Sequence, residues 1–290
     1  MRLESSTTQA PTPDGPRFGI VLRRAPGYRG MDVFFSGLID GMDDVLVSQN
    51  AHLLLLIVPT LEEELAALAR WHRESLVEAV LIADLTPNDP RVTLCLELGL
   101  PAVALGGSDS PEISAVDVDN GAAMTLAVRF LTGLGHRSIG RVSGPSRLRH
   151  TRVRDEAFKA ELPQHGAVGT TLEGDYGTES GLARTRELLS SQERPTAIVY
   201  DNDVMAVAGL DVARELGLAV PADLSILAWD DSAVSRLASP PPSVVSRDVH
   251  ELGGTTARAL LERVAEGPVH LRHGPDAQVI ERHSTARAPR

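Results

Sequence analysis

Residues 53–68 read Leu-Leu-Leu-Leu-Ile-Val-Pro-Thr-Leu-Glu-Glu-Glu-Leu-Ala-Ala-Leu. Six apolar residues without polar alternation predict a strand covered on both faces, the mark of a parallel sheet. Thr60 and Glu63 then form a capping box, and an amphipathic helix over Leu61–Glu74 follows. A buried strand that turns at once into a capped helix is a β-α unit, and the pattern repeats in both directions. Upstream lie a strand at Phe18–Leu22 and a helix around Phe34–Val47. Downstream come strand Ala79–Ala83, helix Pro90–Leu98 with its Gly99-Leu100-Pro101 stop, and strands Ala102–Leu105 and Ala115–Val118.

Past Asp119, an N-cap candidate, the alternation resumes. A helix runs to about Leu134, followed by strand Ser138–Ser143, a helix around Arg152–Leu162, strand Val168–Leu172 and helix Glu179–Leu189. Then come strand Thr196–Tyr200, helix Val204–Leu216, strands Ser225–Trp229 and Val244–Ser246, and helix Leu252–Glu266. Roughly ten strands separated by helices suit two doubly wound α/β halves better than a single sheet. Residues 1–17, polar and rich in Ser, Thr and Pro, read as a flexible tail or linker.

Composition bounds the function. The 290 residues carry 28 Lys and Arg against 39 Asp and Glu, a net charge of −11, which disfavours broad binding to nucleic acid or anionic lipid. Aromatics are 3% of the chain, so any aromatic near a ligand is notable. A single cysteine, Cys95, excludes an internal disulfide; it sits in an apolar run and reads as a buried thiol. The apolar run Leu53–Val58 is too short to cross a bilayer and no secretory core stands near the start, so a cytoplasmic location is expected.

In doubly wound sheets ligands bind beyond the carboxyl ends of strands. Polar residues at those ends are Arg23, Arg24, Asp84, Asp119, Asp201-Asn202-Asp203, Asp230-Asp231 and Arg247. Arg23-Arg24-Ala25-Pro26-Gly27 is no dinucleotide fingerprint, and no P-loop, nucleophile elbow or His-Glu-x-x-His occurs. Neither a catalytic nucleophile nor a cofactor or metal set is therefore expected. Asp203 and Asp231 fit as helix caps; Asn202 and Asp230 are left to hydrogen-bond a ligand. Arg154, which by default is a solvated helix residue, would at the cleft mouth offer a fork to hydroxyls or a carboxylate. Tyr176 and Trp229 supply flat faces that stack on sugars or bases, or that pack a core; the sequence leaves both open. His136, between a helix end and a strand, reads as a turn residue bonding backbone carbonyls.

Several ordered motifs resemble the LacI/GalR family of bacterial transcription regulators over nearly all of residues 18–285. The most specific run is Glu215-Leu216-Gly217-Leu218 continuing through Val220-Pro221-Ala222-Asp223-Leu224-Ser225-Ile226 to Trp229-Asp230-Asp231-Ser232. With it stand Asp119-Asn120-Gly121, Leu134-Gly135-His136-Arg137-Ser138-Ile139, Pro195-Thr196-Ala197-Ile198, Asn202-Asp203-Val204-Met205-Ala206 and Glu281-Arg282-His283-Ser284-Thr285. The resemblance implies a type I periplasmic-binding-protein-like core: two doubly wound parallel-sheet subdomains joined by three crossings, with residues 18–117 plus 249–273 in the first and 118–248 plus 274–290 in the second. A small polar effector, a sugar or derivative, would sit between them. Carried over by position, Arg154, Asn202, Asp230 and Tyr176 match pocket residues, Arg23 a strand-end residue of the other wall, Arg247 the point where a late strand re-enters the pocket, and Phe34 with Phe35 the paired aromatics opening the first helix.

The chain departs from the pattern at Asp32-Val33, where Asn-Pro is usual, and at Ala157 and Ala228, where Gly is usual. With Arg23, Arg154 and Arg247 converging, the pocket is expected to be more cationic than a plain sugar site. Family members begin with a helix-turn-helix headpiece and hinge helix, and this chain is expected to carry neither beyond Arg2-Leu3 as the stub of that hinge. Operator DNA is thus expected only through a headpiece absent from this chain. A homodimer through the first half's opening helices is implied, and no membrane partner. The competing reading, a solute-binding protein of a transport system, needs an export signal that residues 1–17 lack; an enzyme is the third.

Overall fold

The computed structural model describes residues 15–24, 33–265, 267 and 269–289. Most of the expected tail and Asp32 lie outside them, as does Glu266 at the end of the last helix. Arg17 already opens the first strand.

The first run of elements is β1 (Arg17–Arg23), α1 (Val33–Ser48), β2 (His52–Val58), α2 (Leu61–Arg73), β3 (Ala79–Ile82), α3 (Pro90–Leu98), β4 (Ala102–Leu105) and β5 (Ser114–Asp117). The second is α4 (Asn120–Gly133), β6 (Ser138–Ser143), α5 (Arg149–Glu161), β7 (Val168–Glu173), α6 (Thr178–Leu189), β8 (Ala197–Tyr200), α7 (Asp203–Glu215), β9 (Ser225–Trp229), α8 (Ala233–Leu237) and β10 (Ser243–Ser246). Last come α9 (Val249–Val264), β11 (Leu271–His273) and β12 (Gln278–Ile280).

These strands make two six-stranded sheets, ordered β11-β5-β4-β3-β1-β2 and β12-β10-β9-β8-β6-β7. Every pairing is parallel except β10 with β12. The chain passes between the sheets after β5, after β10 and after β11, so the three crossings lie side by side. Strand β1 shows why unbroken apolar runs were needed. Phe18 and Ile20 pack into the core with α1 and α9, while Val21, on the opposite face, packs with Leu68 and Trp71 of α2. Helices α1 and α9 approach closely: a Cβ on Gly253 would stand 2.1 Å from the Leu38 carbonyl oxygen, and one on Gly41 1.8 Å from that of His250. Only glycine permits that spacing.

Local signals hold in part. Thr60 accepts from the Glu63 amide and Asp119 from that of Ala122. The caps expected of Asp203 and Asp231 fall elsewhere: Asn202 accepts from the Met205 amide, and Ser232 from those of Val234 and Ser235. Asp231 instead pairs with Arg282 and Arg236. Two edge strands, β11 and β12, and the short α8 add to the expected elements. His136 is fully buried, with Nδ1 2.8 Å from Thr196 Oγ1 and Nε2 3.0 Å from Ser225 Oγ and 3.1 Å from the Ala286 carbonyl. It fastens the C-terminal segment by hydroxyls as well as the expected carbonyl, and burial lowers its pKa.

Candidate functional site

Strand ends of both sheets open onto a cavity of about 500 Å³ whose walls include Arg23, Phe35, Asp84 and Arg91 from one half and Leu148 and Tyr176 from the other. Its floor in the first half is a chain of charges. Arg23 Nε stands 2.8 Å from Glu64 Oε2 as an ion pair, while Arg91 Nη1 donates to Glu64 Oε1 at 2.8 Å and Arg91 Nη2 to Asp89 Oδ2 at 2.7 Å. Burial pushes the Asp89 carboxyl up, but the hydrogen bonds and charge of Arg91 more than reverse it, to about 2. Glu64, which unlike Asp89 lies between two guanidiniums, is raised because its burial outweighs their attraction. Cys95 behind this floor is a buried thiol pushed up to about 12 by its apolar surroundings.

Phe34 packs edge-on against Phe35 at 5.4 Å between centroids, so Phe35 rather than Phe34 lines the cavity. Across the cleft, Arg154 is 8% exposed. Its Nε donates to Asn120 Oδ1 at 2.8 Å, its Nη1 to the Asp201 carbonyl at 3.3 Å, and its Cζ stands 3.9 Å above the Trp229 ring. A guanidinium over an indole face is a cation–π contact. It occupies one face of Trp229, which at 2% exposure belongs to the core and offers little surface for stacking on a sugar.

Tyr176 adopts φ 70°, and its carbonyl accepts from Asn202 Nδ2 at 2.9 Å. Its hydroxyl is 2.8 Å from His150 Nε2 and 3.3 Å from Thr151 Oγ1, and the two rings stack at 6.3 Å. Burial, then the Arg154 charge, pushes His150 down to about 3, so it is a neutral imidazole; burial raises the Tyr176 phenol. The ring fits because residue 144 is Gly: a Cβ there would stand 2.1 Å from Tyr176 Cζ. Asn202 therefore has two structural duties, capping α7 and holding Tyr176, besides any ligand bond its second amide hydrogen makes.

Asp230 follows β9 at φ 66°, half-buried, its amide donating to the Val245 carbonyl at 3.0 Å. Arg247 leads from β10 into the second crossing. Its Nη1 donates to the Val118 carbonyl of the first crossing and, at 3.4 Å, to that of Pro275 in the third. Among the described residues its Nη2 is buried without an acceptor. Burial, then the neighbouring Arg154 charge, lowers Arg247 to about 10, against the pull of Asp230. It lines a second cavity of about 310 Å³ at the crossings, with Asp119, His273 and Asp276. The eight residues picked from the sequence thus fall into three places: Arg23 and Tyr176 on the cavity wall; Asn202, Trp229, Asp230 and Arg247 at the second half's strand ends and crossings, with Arg154 reaching them from α5; and Phe34 packed against Phe35.

Sequence reading missed Arg141, whose signal was a lone cation inside the apolar strand β6, and Arg149. Arg149 Nε donates to Asp109 Oδ1 at 3.0 Å, its Nη1 to the Gly106 carbonyl at 2.9 Å and its amide to the Leu85 carbonyl at 2.8 Å, joining the halves. Among the described residues no group of three or more His, Cys, Asp and Glu could hold a metal ion, and no helix is long and apolar enough to cross a membrane.

Residues 128–285 match the family model described as a periplasmic binding protein-like domain. A LacI family transcriptional regulator from Bifidobacterium animalis subsp. lactis has a solved structure 36% identical to this chain, with TM-score 0.87 over 94% of this chain and 98% of that one. The chain belongs to the LacI family. Its periplasmic-binding-protein-like core is the type I arrangement of two parallel-dominated sheets. The regulator MalR of Streptomyces coelicolor is 33% identical over 218 residues, 72% of this chain and 63% of MalR. A solved complex of the regulator CelR with cellobiose has TM-score 0.85 at 26% identity, covering 94% of this chain and 86% of that one. The chain spans between 55% and 63% of the first curated relatives it matches. These relatives are regulators rather than enzymes.

Proposed function

We propose that this chain is the effector-sensing and dimerisation core of a LacI-family transcription regulator. A small polar effector, a sugar or derivative, is held noncovalently between the halves, and its preference for one interlobe geometry sets DNA affinity. The observation that carries this reading is the cavity of about 500 Å³ bounded by strand ends of both halves, where acids and guanidiniums can meet hydroxyls. Arg154, Asp230 and Asn202 fix hydroxyls; Arg23 and Arg247 approach from the opposite wall and the crossings; Tyr176 and Phe35, the latter backed by Phe34, supply apolar surface, and Trp229 serves as the platform under Arg154. The solved complex of CelR with cellobiose supports a sugar as effector.

We assign residues 18–117 plus 249–273 to the first subdomain and 118–248 plus 274–290 to the second. Operator DNA is the macromolecular partner, bound in the cytoplasm by a homodimer. Val33 and Val47 on α1, 53% and 65% exposed, support an interface on the first half's opening helix. The test is incubation with a panel of cellobiose, ribose, glucose, nucleosides and phosphorylated sugars, following product formation and melting temperature together. The expected result is a rise in melting temperature with no product. Turnover of any panel member would replace the sensor reading with an enzyme.

A further inference from the structure

We propose that Arg141 and Asp201 form a positioning pair that seats the Arg154 guanidinium against Trp229 and so aims it at the effector, an inference that rests on Arg154 being an effector contact.

Arg141 sits mid-strand in β6 with 0% exposure. Burying an ion pair brings a desolvation cost that its attraction often only offsets, and apolar replacements of similar volume are commonly as stable or more so. Stability alone is therefore a poor reason for this pair, whereas its geometry gives it a task. Asp201 Oδ1 accepts from Arg141 Nε at 2.9 Å and Oδ2 from Nη2 at 2.7 Å, a two-pronged bond across β6 and β8. The remaining guanidinium hydrogens reach α5, the helix that bears Arg154: Nη1 donates to Asp155 Oδ1 at 3.2 Å and Nη2 to the Thr151 carbonyl at 3.3 Å. Arg141 thereby sets the seating of that helix on the sheet.

Asp201 acts on Arg154 directly as well. Its Oδ2 lies 3.7 Å from Arg154 Nη1, and its carbonyl accepts from the same nitrogen at 3.3 Å. Oδ2 also accepts from the Gly144 amide at 3.3 Å, in the turn on which the Tyr176 ring rests. One carboxylate thus serves two guanidiniums. Arg141 takes both oxygens at hydrogen-bond distance, and Arg154 is left with Asn120 Oδ1, a carbonyl and the indole face. Among the described residues nothing accepts from its Nη2, the edge available to an effector oxygen.

The test uses a Trp71→Phe background, which leaves Trp229 as the sole tryptophan, since the chain has two. Trp229 emission is compared in the background, in Arg154→Met, and in the apolar double variant Arg141→Leu/Asp201→Leu. The expected result is that the double variant melts cooperatively yet changes the emission in the same sense as Arg154→Met and by at least about half as much. Arg141→Lys, which keeps a charge on Asp201, stays close to the background. Where a panel sugar stabilises the parent chain, its affinity falls by about tenfold or more in the double variant, as loss of one hydrogen bond to a charged group does. If the double variant does not fold, the isosteric Asp201→Asn is judged by the same emission criterion. Emission identical to the background in the double variant, or unmoved by Arg154→Met itself, overturns the proposal. The emission readings need no ligand, so an inert sugar panel counts against the effector reading alone.

Discussion

Replacing Gly144 by Ala isolates the seat of Tyr176. The backbone at 144 is not in the left-handed region, so alanine brings no dihedral strain of its own. Its Cβ would stand 2.1 Å from both Tyr176 Cζ and Oη, which forces the ring aside by more than 1 Å to regain ordinary contact. Displacement breaks the 2.8 Å contact to His150 and the stacked pair at 6.3 Å. A hydrogen bond is worth ~1 kcal/mol and a ring pair ~0.5–1.5 kcal/mol, while glycine-to-alanine returns ~0.4–1 kcal/mol through the unfolded chain. With an imidazole nitrogen left short of its partner, the net loss is about 2 kcal/mol. For a chain of this size that is a fall in melting temperature of roughly 4–8 °C. Circular dichroism melts measure it, and NMR titration of His150 supplies a second reading, since hydration would move its pKa up from about 3 toward its ordinary value. Gly144→Ala with an unchanged melt and an unmoved His150 refutes the reasoning; Tyr176→Leu added to it should recover part of the loss.

Much of the fold was legible because its signals are local. The apolar run at Leu53–Val58 followed by the Thr60 cap made a strand and a helix in sequence, and the same logic carried through β9. Strands β11 and β12, three residues each, lie in a Gly- and Pro-rich stretch whose pairing is decided by distant sheet edges, leaving no period to read. The cap at α7 shows a finer limit: Asn202 and Asp203 both suit an N-cap chemically, and which one takes it depends on where β8 ends. At the site, strand-end position singled out Arg23, Asp230 and Arg247. It could not show that Arg154 would lie on the Trp229 face, or that Arg141 would reach Asp201 across the sheet, because those contacts join residues 75 and 60 positions apart.

Three further outcomes follow from the packing and charges. Arg149→Ala removes the bridge to Gly106 and Asp109; with the Arg149 and Asp109 side chains 29% and 56% exposed it costs under about 1 kcal/mol, yet small-angle scattering should show a larger radius of gyration if it holds the halves together. Asp89→Asn should cost about 2 kcal/mol near neutral pH, as follows from a folded pKa of about 2 against 3.8 unfolded. Because that pKa is depressed, the contribution is present above pH 3.8 and fades as pH falls toward 2, so parent and variant stabilities converge across that window; a constant gap in denaturant titrations would contradict it. Gly253→Ala, whose Cβ meets the Leu38 carbonyl at 2.1 Å, should cost about 1–3 kcal/mol through separation of α1 and α9, and an unchanged urea midpoint would show that the helices are not so tightly apposed.

The most direct measurement is a crystal structure of the chain with whichever panel sugar raises its melting temperature. The account predicts ligand density between the halves, within hydrogen-bond distance of Arg154 and Asp230 on one side and of Arg23 on the other, with no bond to the protein. Density at an outer surface, or a gap closed by side chains with the sugar bound elsewhere, would contradict it.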